Sequence, residues 1–119
     1  MCYYWYVVKK ETKCKFKDYL ATFPSIEHLS GLSILDRQGN IIHHIPAIEG
    51  KLGSLKLYNA LAERFSQQLN VKSAQQGIIW FAEHVEDATQ HPGKHPNIDL
   101  LFNIVEQKLE LTLKPITNG

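Results

Sequence analysis

The chain has 119 residues, of which 44% are hydrophobic and 21% are charged. That balance is typical of one globular domain and excludes a disordered chain. The formal net charge is only +1, with lysines and acids spread along the chain. We therefore expect neither nucleic acid nor a membrane surface as a partner.

Residues 1–15 are expected to form an N-terminal extension, and residues 16–116 a single globular domain. The apolar run from Cys2 to Val8 is far shorter than the roughly 20 residues that a membrane-spanning helix needs. Lysines follow this run, whereas a signal peptide places its positive charge before it. We therefore expect a cytoplasmic protein whose extension either forms a short strand or is disordered.

A β-hairpin is predicted between Leu32 and Ile45. Strand-forming residues flank a turn in which Gly39 suits the left-handed conformation. The resulting register pairs Leu35 with Ile41 and Ser33 with His43. Because side chains alternate along a strand, His43 and His44 are expected on opposite faces of the sheet.

Helices are predicted before and after this hairpin. A short one is expected between Phe16 and Pro24. A longer one has Ser54 as its N-cap and Asn70 at its end, with apolar residues repeating every four positions. A further helix is expected from Ser73, which forms a capping box with Gln76, to about Thr89.

The C-terminal part adds one more helix and one strand. Asn97 is the expected N-cap of the last helix. Alternating apolar residues predict a strand at 109–114, beside the hairpin. The predicted fold is α+β, with a small antiparallel sheet of hairpin 32–45 and strand 109–114 packed by two to three helices.

Residues 83–99, with the sequence EHVEDATQHPGKHPNID, hold three of the six histidines of the chain. On a continuous helix, Trp80, His84, Asp87 and His91 lie in one column, opposite the expected core face. The chain then turns at Pro92-Gly93 and returns with further polar side chains. A site hypothesis can therefore begin in this segment.

The first interpretation of this segment is a metal site. Imidazoles and carboxylates suit zinc or another divalent metal. The candidate ligands are His84, Asp87, His91, His95 and Asp99. Their spacing does not match the motif HExxH, so it predicts no particular enzyme class.

The second interpretation is a site for a small anionic ligand. Free backbone N–H groups at a helix N-terminus favour a phosphate or carboxylate, and Lys94, His95 and Asn97 lie at such a position. In the alternative without a ligand, these side chains are solvated or cap helix ends. The sequence leaves all three interpretations open.

Two further functions compete with a simple binding protein. One is a protein-interaction or homodimerisation module without a small-molecule site, with Trp80 and the aromatic N-terminus as anchors. The other is a metal-assisted hydrolase in which Glu83 or Glu86 acts as general base. A binding protein for a divalent metal or small anion remains the preferred interpretation, and an enzyme is not favoured.

Three stretches of the chain resemble a small bacterial family known only as a domain of unknown function. These stretches are LATFPSIEHL at 20–29, GSL with LYNAL within 53–61, and AEHVED running through HPGKHPNID within 82–99. The resemblance covers residues 16–114 and implies a soluble protein from proteobacteria. It implies no activity, cofactor or catalytic residue.

Overall fold

The computed structural model describes residues 14–118, so most of the predicted N-terminal extension lies outside the described residues. Five helices and four strands occur in the described part of the chain, which is more helices than the two to three predicted to pack the sheet. They are α1 (Phe16–Leu20), β1 (Leu29–Leu35), β2 (Ile41–Pro46), α2 (Leu52–Arg64), β3 (Gln68–Leu69), α3 (Val71–Phe81), α4 (His84–Gln90), α5 (Pro96–Gln107) and β4 (Leu111–Thr117).

The four strands form one antiparallel sheet in the order β2-β1-β4-β3. This confirms the α+β class, the hairpin and a C-terminal strand beside it. Strand β3 is an addition that the sequence did not predict. Its two residues are too few to show a period of two, so no pattern marked it.

The hairpin register agrees with the prediction next to the turn and departs from it further along. Leu35 pairs with Ile41 as expected, and Gly39 has a φ of +88°. The predicted pairing of Ser33 with His43 is wrong, since Ser33 pairs with His44. The register shifts between Ile34 and Leu35, as expected of a β-bulge that places an extra residue in β2.

Helix α2 begins and ends earlier than predicted. It starts at Leu52, so Ser54 lies inside its first turn rather than at the N-cap. The helix ends at Arg64 because Ser66 and Gln67 have positive φ angles. Asn70, the expected end of this helix, is instead the N-cap of α3 and forms a capping box with Ser73.

The single helix predicted from Ser73 to about Thr89 is broken into α3 and α4. At the break, Ala82 has a φ of +52°, which is a strained conformation for a residue with a side chain. Trp80 and His84 therefore lie on different helices, and the predicted column on one helix face is wrong. Trp80 is buried and packs against Phe23, with ring centroids 4.6 Å apart.

The helices pack together because α3 and α5 approach closely at Gly77. A Cβ atom there would lie 2.8 Å from Cδ1 of Leu101 and 3.0 Å from Cδ1 of Leu61. Helix α2 contacts all four strands, and its buried residues join those of the sheet in one hydrophobic core. Among the residues 14–118, no helix is long and apolar enough to cross a membrane.

Candidate functional site

Asp87 on α4 is the centre of a charged cluster. Its Oδ2 atom lies 2.5 Å from Nε2 of His95 and 3.0 Å from Nζ of Lys94. Its Oδ1 atom lies 3.7 Å from Nε2 of His91. The hydrogen bond from His95, followed by that from Lys94, lowers the pKa of Asp87 to about 2.

The other two candidate metal ligands lie apart from this cluster. The His84 ring meets the Phe16 ring edge-on, with centroids 4.9 Å apart. Oδ2 of Asp99 accepts a hydrogen bond from the Gly93 N–H at 2.9 Å. Asp99 therefore closes the turn at Pro92-Gly93 and leaves the charged cluster to Asp87.

The predicted metal site finds no support in this arrangement. Lys94 occupies the same Asp87 oxygen that a metal would need, and an ammonium group repels a cation. The described residues contain no group of three or more His, Cys, Asp or Glu side chains that could hold a metal ion. The five candidate ligands therefore divide between the cluster at Asp87 and separate contacts of His84 and Asp99, and they do not form one metal site.

The two candidate general bases of the hydrolase hypothesis are also bound elsewhere. Glu83 accepts a hydrogen bond from the backbone N–H of Phe16 at 2.8 Å. Glu86 accepts one from Nε2 of Gln90, one helical turn further on, at 3.3 Å. The Glu83 carboxylate therefore links the start of α1 to the start of α4 and has a structural role.

Beside the charged cluster lies an open cleft with a volume of about 380 Å³. It is lined by residues 50–54, by residues 94–98, and by Phe16, Phe81 and His84. This set, called the cleft below, includes the three predicted ligand-binding residues Lys94, His95 and Asn97. Its size falls at the lower end of the range for small-molecule sites.

Two helix N-termini open into the cleft. Residues 51–54 begin α2, whose first turn has no acidic residue, and residues 95–98 begin α5, whose first turn contains Asp99, bonded to the Gly93 N–H. Neither N-cap residue, Lys51 or His95, caps its helix with a side-chain hydrogen bond. The unpaired N–H groups of the first turn of α2 carry partial positive charge, and here they are added to the charge of Lys51 and to that of Lys94, which also pairs with Asp87. None of the described lining residues is acidic.

One wall of the cleft is aromatic. Phe16 stacks on Phe81 with ring centroids 5.4 Å apart and an interplanar angle of 13°. Phe16 also packs tightly on Gly53, where an added Cβ would lie 3.1 Å from the ring. Leu52, 46% exposed, extends the apolar surface. The cleft therefore combines positive helix ends with a flat apolar wall.

Asn97 differs from its predicted role. His95 is the N-cap of α5, and Pro96 occupies the first helical position, where a missing N–H costs nothing. The Asn97 side chain instead receives a hydrogen bond from Nε2 of His43 at 2.7 Å. Its backbone carbonyl accepts another from the hydroxyl of Tyr58 at 2.5 Å, and burial raises the pKa of that hydroxyl.

The sequence did not predict the side of the cleft that residues 50–54 and Phe16 form. It also did not predict that His43 contacts Asn97 from behind. Gly50 and Gly53 precede Ser54, the predicted N-cap, and so lie outside the predicted helix. Their place directly before the apolar repeat of α2 was a usable signal for an uncapped helix N-terminus. No pattern in the sequence indicated that His43 contributes to the cleft, because its partner Asn97 lies 54 residues further along the chain.

The fold and the cleft define a small α+β domain with a positively charged, partly aromatic cleft where α2 and α5 begin. The chain belongs to DUF2322, a family described as an uncharacterized protein conserved in bacteria, whose model matches residues 16–115. The family resemblance noted from the sequence is thereby confirmed. No curated protein and no solved structure matches the chain.

Proposed function

We propose that this protein binds a small organic anion, a carboxylate or a phosphate, in the cleft. The observation that carries the proposal is the convergence of two helix N-termini with Lys51 and Lys94 around a space without a lining carboxylate. Such a place favours negative charge through both the N–H groups and the cations.

The residues around the cleft indicate which part of a ligand each would meet. The charged end belongs near residues 51–54 and 94–98, where the N–H groups and lysines lie. The apolar body belongs against Phe16 and Phe81. The volume of about 380 Å³ accommodates a ligand with one small ring and one acidic group.

The experiment is a titration of the ¹⁵N-labelled protein followed by NMR. Phenyl phosphate and benzoate are the anionic probes, and benzylamine is the cationic control of the same size. We expect saturable shifts of the backbone amides of Gly53, Ser54 and Ile98 with the anions alone. Equal shifts with benzylamine, or no saturable shift with either anion, would contradict anion binding.

A matched pair of variants tests the charge. Lys51→Gln removes a cation from the cleft, whereas Lys72→Gln removes one from an exposed position on α3 that does not line it. We expect Lys51→Gln to weaken phenyl phosphate binding by about two- to fivefold, since one solvent-exposed charge interaction is worth about 0.5–1 kcal/mol. Lys72→Gln should bind as the wild type does. A loss in both variants would indicate a general charge effect.

A second candidate function is homodimerisation through strand β2. This strand lies at the edge of the sheet, and Ile41 and Ile42 on it are 65% and 47% exposed. Exposed edge strands with apolar side chains are templates for pairing. Of the anchors named from sequence, Trp80 is only 8% exposed, and the aromatic N-terminus lies outside the described residues.

Light scattering over a range of protein concentrations tests this second function. A dimer that Ile42→Lys converts to a monomer would support it, because a charge on an edge strand opposes pairing. A monomer at every concentration would exclude it.

A further inference from the structure

The side chain of Asn97 is held in place from two sides. It is only 8% exposed although it lines the cleft. Nε2 of His43, on β2, donates to its Oδ1 atom, and the hydroxyl of Tyr58, on α2, donates to its backbone carbonyl. Strand β2 and helix α2 therefore both fix the first turn of α5.

The amide nitrogen of Asn97 has donors left over. Within residues 14–118, its Nδ2 atom makes no hydrogen bond, since the two bonds of this residue involve its oxygens. Yet no buried side-chain nitrogen or oxygen among those residues lacks a partner. Nδ2 must therefore lie in the small part of Asn97 that solvent reaches, and Asn97 is one of the residues that line the cleft.

We infer that Asn97 is a specificity-determining residue of the cleft, and that His43 is the residue that positions it. This inference rests on the proposed anion binding and deepens it. The Asn97 amide presents N–H donors to an oxygen that only accepts hydrogen bonds. The class of ligand is thus an oxyanion, carboxylate or phosphoryl, attached to the apolar body that Phe16 and Phe81 contact.

The role of His43 follows from the chemistry of an amide group. An asparagine side chain can turn about its last bond and exchange its oxygen for its nitrogen at nearly the same place. A donor fixed at Oδ1 prevents the exchange, because the turned amide would set N–H against N–H. His43, with its proton on Nε2, therefore keeps the nitrogen of Asn97 toward the cleft.

The first test is a direct observation on the wild-type protein. The side-chain NH₂ signals of Asn97 should shift in step with the backbone signals of the cleft as phenyl phosphate or benzoate is added. Imidazole ¹H–¹⁵N correlations should show the proton of His43 on Nε2. If an anion binds while the Asn97 NH₂ signals stay unchanged, the inference fails and the proposed anion binding stands.

Substitutions then separate positioning from a general loss of structure. Asn97→Asp replaces the donor with a carboxylate, and we expect at least about tenfold weaker binding of phenyl phosphate. His43→Leu should weaken binding about fivefold, since it removes the hydrogen bond that positions Asn97. His43→Gln keeps an N–H donor and should restore most of the affinity.

Three outcomes overturn the inference. In the first, Asn97→Asp and His43→Leu bind phenyl phosphate as tightly as the wild type. In the second, His43→Gln binds as weakly as His43→Leu although both keep the wild-type amide spectrum. In the third, the wild type binds neither anion, which removes the proposed function together with this inference. The relative affinities of benzoate and phenyl phosphate show which oxyanion the cleft prefers.

Discussion

Two histidines near the cleft each contact one oxygen, but their surroundings differ. His95 contacts Asp87, eight residues away, in a cluster that Lys94 and His91 share, and the Asp87 side chain is 36% exposed. His43 contacts Asn97, 54 residues away, and the buried Asn97 is also held by Tyr58. The first pair belongs to a charged cluster formed by residues close in sequence, whereas the second joins distant segments and has a buried asparagine as its acceptor.

A segment rich in charged residues therefore does not necessarily contain the contacts that stabilise the fold most. Exposed ion pairs contribute little, because water and salt screen them. A buried acceptor that loses its donor cannot turn to water and keeps the full cost of its desolvation. The pair of His43 and Asn97 should therefore stabilise the fold more than the cluster at Asp87, and substitutions at His43, Asp87 and His91 test that expectation.

The largest effect is expected from His43→Leu. It removes the donor and leaves the buried Oδ1 of Asn97 without a partner, which should lower the free energy of unfolding by about 1–3 kcal/mol. Urea unfolding monitored by tryptophan fluorescence measures it. His28→Leu is the control, because His28 is exposed and its side chain makes no hydrogen bond within residues 14–118. Equal losses in the two variants would contradict the distinction.

The next effect has the opposite sign and concerns the backbone that places the charged pair. Ala82→Gly should raise the free energy of unfolding by about 1 kcal/mol, because glycine adopts a positive φ without strain. Ala21→Gly, at a residue with a φ of −65°, is the control and should lower it. A loss of stability in Ala82→Gly would show that the break between α3 and α4 is not strained.

These two positions also show how far the sequence predicts the structure. The hairpin, the pairing of Leu35 with Ile41 and the C-terminal strand follow from alternation and from Gly39, which act over a few residues. No glycine or proline marks the break at Ala82 in the sequence, because tertiary packing imposes the break. The five-residue metal set finds no support for a different reason: Lys94 pairs with Asp87, while His84 and Asp99 make contacts elsewhere.

The candidate site was predicted only in part. Lys94, His95 and Asn97 do line the cleft, because a helix N-terminus is a local feature that proline and polar residues mark. The opposite side, at residues 50–54, reaches the cleft through the packing of α2 on the sheet. Packing between distant segments leaves no periodic signal, so neither this side nor His43 could be assigned to the site.

Asp87→Asn should have a smaller effect that depends on pH. The pKa of Asp87 is lowered to about 2, so its stabilising contribution is present above the unfolded value of about 4 and is lost as the pH falls toward about 2. The stabilities of variant and wild type should therefore differ at neutral pH and converge in acid. Urea unfolding between about pH 2 and pH 6 measures this difference.

Asp36 provides the control for this acid dependence. Its pKa is also lowered, mainly by the backbone N–H of Asn40, and it lies in the hairpin turn away from Asp87. Asp87→Asn should therefore keep the part of the acid dependence that Asp36 causes. Curves for variant and wild type that stay parallel down to about pH 2 would show that the ion pair does not stabilise the fold.

The smallest effect is expected from His91→Ala. The His91 ring lies 3.7 Å from Oδ1 of Asp87, its side chain is 59% exposed, and the other oxygen of Asp87 already has two partners. Water can replace this contact, so the melting temperature should stay within experimental error of the wild type. Thermal melts of Lys94→Ala in low and in high salt show whether the closer contact, between Lys94 and Asp87, contributes measurably to stability. If His91→Ala matched the loss seen in His43→Leu, exposure would not be what separates the two histidine pairs.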